Sequence, residues 1–508
     1  MKVLLISLSN LIHTLGVPIL SACLREKGHM TRIMFLPRFS EYPNRNKILD
    51  EMIEFSQDAD LIGLSVMTNH FENAVEITRR IKQSLRAPVL WGGIHPTVRP
   101  QECLDHSDII SVGEGEKSLV ELTEKMEKGD DFRHVPGMYF KHQGRLIANS
   151  LQPLVQDLDT LPFPDLDFRN QYIILTSGHI QQADAHSVEE HWFRDSSVKT
   201  YMIMPSRGCP FSCTYCCNNV LNQMYRGQKV IRKRSVDNVI EELLIAKSKL
   251  PFLKRITLAD DGFLFAYTES EIEEFSRKYK ERVRIPLRVT GITPKTIRRE
   301  KVFPLVDAGM EVIRMGIQTG SESTRNIYAR SESNDEIESA VRLIHELGDR
   351  VKHRTYDIIV DNPWETERDV IKTLIFLSRL PVPYELAMFS LTFYPGTELY
   401  RRAKRECILS DELKEIYRKN FYSIRNTYLN KLFLLLHNSA RRGRKISPRM
   451  MFFLTNRGMR RIYVSHVLYR MLKLRISFWS FWEGITRRGV EKSGEAPRKR
   501  SPCHTSFT

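Results

Sequence analysis

Four of the eight cysteines in this 508-residue chain fall inside nine residues, within RGCPFSCTYCCNN at 207–219. Cys209, Cys213 and Cys216 are separated by three and two residues, and Cys217 follows directly. Thiolates this close can surround one metal centre, and iron–sulfur clusters are held in this way. A cubane [4Fe–4S] has four irons, so three cysteines would leave one iron without a protein ligand. Cys217 does not suit the fourth place, because adjacent side chains diverge. Structural zinc is the alternative. It takes four ligands, usually as two separated pairs, and no second pair is present: Cys407 and Cys503 are isolated and His353 has no neighbour of its kind. An iron with an open position would be reactive, so the elements around the loop matter.

Hydrophobic residues make up 42% of the chain and charged residues 27%, the balance of a globular protein. Cys23, Cys103, Cys407 and Cys503 stand alone, which argues against a disulfide framework and for a reducing, cytoplasmic setting. The opening MKVLLISLSN is too short an apolar run for a signal peptide and reads as a buried first strand. No run approaches the ~18 apolar residues of a membrane span.

The patterning predicts an α/β protein. Residues 1–150 alternate strands (KVLLIS, TRIMFL, LIGLSV, PVLWGG, DIISVG) with helical stretches, as in a doubly wound parallel sheet, and end in a hairpin turning at Gln143-Gly144. Residues 151–198 read as a linker, Pro-broken at LPFPDLDF and then polar and aperiodic. Residues 199–405 hold six βα repeats (TYMIMP, RITLAD, PLRVTG, VIRMGI, RTYDIIV, ELAMFSLT), which predict a partial (βα)6 barrel with its chemistry at the C-terminal strand ends. The cysteines follow the first of these strands. Residues 406–490 read as a helical basic segment and 491–508 as a disordered tail.

The cysteine loop in this setting resembles the radical S-adenosylmethionine (SAM) enzymes, whose hallmark is CxxxCxxC with an aromatic residue before the third cysteine; Tyr215 fills that place. The resemblance implies that Cys209, Cys213 and Cys216 ligate a [4Fe–4S] cluster and that Cys217 is a small buried thiol. It also implies that the open iron chelates the amino and carboxylate groups of SAM, and that a reducing electron donor drives cleavage to a 5′-deoxyadenosyl radical. Further along, ITLADDGF ends the second barrel strand, where the family contacts SAM's amino group, which makes Asp260 and Asp261 candidates. MGIQTGSES resembles the family's G-[IV]-E-[ST]-G-S strand end, with Gln318 in place of the glutamate. YDIIVDNPWET resembles a strand ending in G-x-P-x-E-T, with Asp361 in place of glycine. Arg314, Arg354 and Asp357 read as structural pairs as readily as functional groups.

Residues 1–405 together resemble the cobalamin-binding radical SAM proteins. Ser65, in SVM, stands about where the cobalamin fold carries S-x-L, and Gly92-Gly93 follow where a nucleotide tail would approach the backbone closely. GEGE at Gly113–Glu116 completes the ordered set. In the D-x-H-x-x-G motif of methionine synthase the histidine ligates cobalt; here His13 and Gly16 are present but Leu11 replaces the aspartate that would orient the imidazole, so His13 is read as an incidental loop residue. No G-x-G-x-x-G follows the first strand, which argues against a dinucleotide site.

Net charge is +16, and residues 411–508 supply all of it, with 22 Lys+Arg against 6 Asp+Glu. A helical cap on the barrel is the first reading of this segment. An interfacial segment on the inner face of a membrane, with Trp479 and Trp482 in the headgroup layer, would suit a lipid-like substrate. Nucleic-acid binding is disfavoured, since no recognition motif accompanies the charge. The resemblance implies methyl transfer to an unactivated carbon or to phosphinate phosphorus of a small-molecule substrate. The alternatives are an anaerobic cyclase or other radical SAM chemistry without methyl transfer, and, outside catalysis, a cobalamin or iron sensor. A methylthiotransferase would need a second three-cysteine set in the first domain, which has only Cys23 and Cys103.

Overall fold

The computed structural model describes residues 1–9, 16–36, 39–42, 44–174, 177–191 and 198–459. Leu11 and His13, the stretch 460–490 with its two tryptophans, and the tail with Cys503 lie outside the described residues.

The first sheet has nine strands: β1 (Lys2–Ser7), β2 (Met30–Phe35), β3 (Leu61–Ser65), β4 (Val89–Gly92), β5 (Ile109–Ser111), β6 (Met138–His142), β7 (Arg145–Ala148), β8 (Gln171–Ile174) and β9 (Ile180–Gln182). Their order is β7-β6-β5-β4-β3-β1-β2-β8-β9. Strands β5-β4-β3-β1-β2-β8 run parallel, and the chain reverses its winding between β1 and β3. That reversal is the switch point at which doubly wound sheets bind ligands. Period-2 alternation decides the two faces: Val3 and Leu5 join one core, Leu4 and Ile6 the other. The β6–β7 hairpin turns at Gln143 and Gly144, both with positive φ. The expected 151–198 linker is corrected here. Gln171–Ile174 pair beside β2 as β8 and Ile180–Gln182 pair with β8 as β9, and four and three residues are too short to mark a strand in the sequence.

The second sheet is parallel and ordered β10 (Thr200–Ile203), β13 (Arg255–Leu258), β14 (Leu287–Ile292), β15 (Met310–Gln318), β16 (His353–Val360) and β17 (Glu385–Ser390), with β10 and β17 as its edges. Between the first two strands lies a small antiparallel ribbon of β11 (Ser206–Arg207) and β12 (Arg232–Lys233). Three of the intervening helices begin with capping boxes, Thr268/Glu271, Ser333/Glu336 and Thr366/Asp369, which fix where each helix leaves its loop. Leu287, Val289, Ile313 and Met315 pack toward the helices. The alternate residues Arg288, Arg314, Thr355 and Asp357 are half-buried on the concave face.

Residues beyond the barrel do not form a separate domain over the described range. Helix Tyr428–Ala440 packs its Leu432, Phe433 and Leu436 into the barrel's own core. The stretch before it returns to the first sheet. Tyr417 donates to Glu102 at 2.9 Å, Arg99 donates to Glu412 at 3.1 Å, and Arg418 donates to Glu72 at 2.7 and 2.6 Å. Among the described residues no helix is long and apolar enough to cross a membrane.

Candidate functional site

The cysteine loop leaves the β11–β12 ribbon through Gly208, whose φ is +90 and whose added Cβ would lie 2.1 Å from the Val230 carbonyl. Only glycine fits there. The loop is then pinned on several sides. Asn222 Nδ2 donates to the Cys209 carbonyl at 2.8 Å, Thr214 Oγ1 to the Ile327 carbonyl at 2.7 Å, and Leu399 N to the Thr214 carbonyl at 3.1 Å. Cys216 stands at the N-terminal end of the helix Cys217–Met224, in extended conformation. All four thiols are unpaired and half-buried. Burial pushes Cys209 up to about 12 and Cys213 upward as well. Cys216 is raised because it donates a hydrogen bond to Cys217 and is buried. A metal's positive charge is what such thiols need in order to ionise. Among the described residues no three His, Cys, Asp or Glu side chains close on a single ion-sized point. A cubane is larger than an ion, so three thiolates on one loop stand around it rather than at a point, and the donor set suits a cluster.

Tyr215 is buried. Its hydroxyl accepts from Arg330 Nη1 at 3.3 Å and its ring meets Tyr328 edge-on at 5.2 Å. Arg330 also donates to the Gly316 carbonyl at 2.9 Å and to Glu332 at 2.7 Å, so it ties the cysteine loop to β15. Gln318 ends β15 in the left-handed region, φ +66, and joins Tyr215, Asp357, Phe389, Tyr394 and Phe421 around a cavity of about 280 Å³ at the barrel mouth. Asp260 and Asp261 separate in role. Asp260 is buried, accepts from Ser206, and is pushed up to about 7 by burial, while its other oxygen has no partner. Asp261 is exposed and lines a cavity with Gly208, Asn218 and Asn222 beside the cysteines.

In the first domain Ser65, Gly92 and Gly93 end β3 and β4. They line a cavity of about 350 Å³ with Gly16, Gly63, Ser111, Gly113 and Gly115. Gly93 has φ +102, and an added Cβ would meet the Val66 carbonyl at 3.0 Å. A cradle of small residues at the switch point suits a nucleotide tail. Its roof comes from elsewhere: Leu158, Leu161, Pro162 and Pro164, with Met204 and Arg207 of the barrel. A second cavity of about 290 Å³ shares Gly93, Gly113, Glu114, Met204 and Arg207 with the first and reaches Gly208 and Asp261. The two expected cofactor sites therefore adjoin across one interface.

Buried ion pairs hold that interface. Arg207 Nη2 donates to Glu116 at 2.7 Å, and Arg232 donates to both oxygens of Glu114 at 2.8 Å. Sequence reading picked out GEGE for its glycines and missed its carboxylates. It also missed Arg330, which follows no motif.

Residues 1–123 match the model of the B12 binding domain, and residues 203–377 match that of the radical SAM superfamily. An uncharacterised methyltransferase of Pyrococcus horikoshii is 24% identical over 396 residues, covering 77% of this chain and 78% of that protein. The anaerobic magnesium-protoporphyrin IX monomethyl ester cyclase of Cereibacter sphaeroides is 22% identical over 410 residues, covering 78% of this chain and 61% of that protein. Among solved structures, the radical SAM methyltransferase TsrM of Kitasatospora setae, with cobalamin and a [4Fe–4S] cluster bound, superposes with a TM-score of 0.62 at 16% identity, covering 80% of this chain and 75% of that one. A B12-binding domain joined to a radical SAM barrel is thus the architecture of the molecule. The chain belongs to the cobalamin-binding radical SAM enzymes, and its cofactors are a [4Fe–4S] cluster, SAM and cobalamin.

Proposed function

We propose that this enzyme transfers a methyl group to an unactivated carbon or to phosphinate phosphorus of a small molecule. The adjoining cavities carry the reading, because a methyl donor in the first domain and a radical generator on the cysteine loop would face a common space. In this reading Cys209, Cys213 and Cys216 ligate the cluster, Tyr215 packs beside it, Gln318 and Asp261 border bound SAM, and Asp260 holds the strand end through Ser206. Ser65, Gly92 and Gly93 admit the cobalamin tail. When bound, the reduced cluster with SAM supplies hydrogen abstraction, and cobalamin supplies the methyl group. The chain's own residues exclude water and fix the two cofactors relative to each other through Arg207, Arg232, Glu114 and Glu116. An external reductant feeds the cluster. Exposed Met450, Phe452 and Phe453 beside the basic run from Arg441 to Arg449 support peripheral contact with anionic lipid, in a reducing cytoplasm.

Protein purified without oxygen, from cells supplied with cobalamin, should hold about four irons and one cobalt per chain. Four irons without cobalt would turn the reading to cyclase or other radical chemistry, which the cyclase relative favours. The absence of both metals would sink it.

A further inference from the structure

The concave face of the barrel carries more positive charge than it neutralises. Arg255 is paired with Glu311 at 3.0 Å, and Glu311 also takes Lys352 at 2.6 Å. Arg314 is paired with Asp357 through Nε at 2.7 and 3.0 Å. Arg288, the second residue of β14, pairs in register with Thr257 on one side and Val312 on the other, between those two ion pairs. Its Nε is buried without a hydrogen-bond partner, and no carboxylate among the described residues lies in ion-pair reach of it. Its charged surroundings are Arg314 and Arg255, which repel it, and Asp357, whose carboxylate is already engaged. Burial and the two arginines together lower its basicity, and Asp357, already engaged by Arg314, offsets that only in part.

A protein keeps such a group where a ligand supplies the missing charge. Asp357 borders the mouth cavity, and its partner Arg314 lies two residues beyond Val312, the register neighbour of Arg288, so Arg288 sits deeper on the same concave face. The cavity wall is aromatic: Phe389, Phe421 and Tyr394, with the Tyr422 ring tilted against Phe389 and Phe421 at 5.5 and 4.4 Å. Arg314 lies over the Phe389 ring at 5.3 Å, which ties the cationic floor to the aromatic wall.

We infer that the substrate is an anion, and that its carboxylate or phosphate docks on Arg288 inside the barrel while its less polar body lies along the Phe389–Phe421 wall. This deepens the methyl-transfer reading and rests on it for the word substrate. The binding site itself stands on the charge and the cavity alone. The charged end lies at the floor of the barrel and the reacting end at the mouth, beside Gln318 and the cysteine loop. Arginine suits the task because its planar fork meets a carboxylate or phosphate with two parallel hydrogen bonds.

Thermal unfolding of the unreduced holoprotein, saturated with SAM, tests this with inorganic phosphate and acetate as probes against chloride at equal ionic strength. Wild type is compared with Arg288→Met and Arg288→Lys. Phosphate stabilises proteins generally by exclusion from their surfaces, so the difference between wild type and Arg288→Met is what counts. We expect a saturable rise in Tm of about 1–3 °C in wild type at tenfold the dissociation constant. The rise should be kept in part by Arg288→Lys and lost in Arg288→Met. A larger response to phosphate marks a phosphate ester; an equal or larger one to acetate marks a carboxylate. In chloride alone Arg288→Met should melt above wild type, since it removes a half-buried charge that no ion pair satisfies. Equal responses in wild type and Arg288→Met, or an Arg288→Met protein that melts lower in chloride, overturn the proposal. The readout is binding rather than turnover, so it stands or falls separately from methyl transfer.

Discussion

Arg232 donates both terminal nitrogens to the Glu114 carboxylate, at 2.8 Å each, and its side chain is 4% exposed. The pair joins the ribbon that frames the cysteine loop to the glycine-rich end of β5. Removing the carboxylate strands a buried guanidinium, so Glu114→Ala should cost about 3–5 kcal/mol, read from urea unfolding at pH 7. The same pair has an acid limit. Burial alone would raise the Glu114 pKa, but its hydrogen bonds and charge contacts with Arg232 and Arg207 override it and hold the group below the ordinary glutamate range. The folded state therefore binds this proton less readily than the unfolded state. The contribution is complete above the unfolded value and is lost as pH falls through the lowered one.

The cysteines can be sorted by metal content. Cys209→Ala, Cys213→Ala and Cys216→Ala should each lose most of the iron and the absorbance near ~400 nm. Cys217→Ala should keep both. Iron and sulfide assays on anaerobic preparations decide it, and loss of iron in Cys217→Ala would show that the fourth thiol is a ligand after all.

Neighbouring glycines in the first domain should differ sharply. A Cβ at Gly92 would meet only the Ser111 Cβ, at an ordinary 3.6 Å. One at Gly93 would force a left-handed alanine against the Val66 carbonyl. Gly93→Ala is expected to weaken cobalamin binding about tenfold or more. Gly92→Ala should weaken it less, since it narrows the cavity without straining the backbone. Equilibrium dialysis of hydroxocobalamin against each protein gives the comparison.

Two buried histidines set a pH response. His70 and His95 are both lowered to about 4, mainly by burial. Each takes up its proton more readily when unfolded, so stability falls as pH drops from about 6.5 toward 4, by up to about 3 kcal/mol per histidine. Asp260 and Glu365, pushed up to about 7 by burial, act in the opposite sense, costing stability as pH rises from about 4 to 7. The difference in urea midpoint between wild type and His70→Gln/His95→Gln isolates the histidines. It should be flat above pH 7 and move in favour of the variant below pH 6. A difference that stays constant down to pH 4 would show that the histidines are not held neutral.

The sequence was most legible where structure is local. The six barrel strands, the β6–β7 hairpin and the cysteine loop each depend on residues a few positions apart. Strands β8 and β9 escaped because IQQ and QYII lack the length and alternation that mark a strand, and their stability comes from pairing beside β2. The buried pairs Arg207–Glu116 and Arg232–Glu114 span 91 and 118 residues, so no window along the chain contains both partners. Arg288 was invisible for a further reason. Its interest lies in what it does not touch, and only the folded barrel shows that.

The contacts between Tyr417 and Glu102 close a loop of 315 residues. A ribosome adding ~5–20 residues per second takes roughly 15–60 s to deliver the second partner after the first. Through that interval the B12-binding domain can fold by its own sheet, yet nothing clamps the later half of the chain across its open edge. The first domain must therefore hold its fold unaided for that long, and the contacts that tie the two halves together come only once the barrel strands have been made.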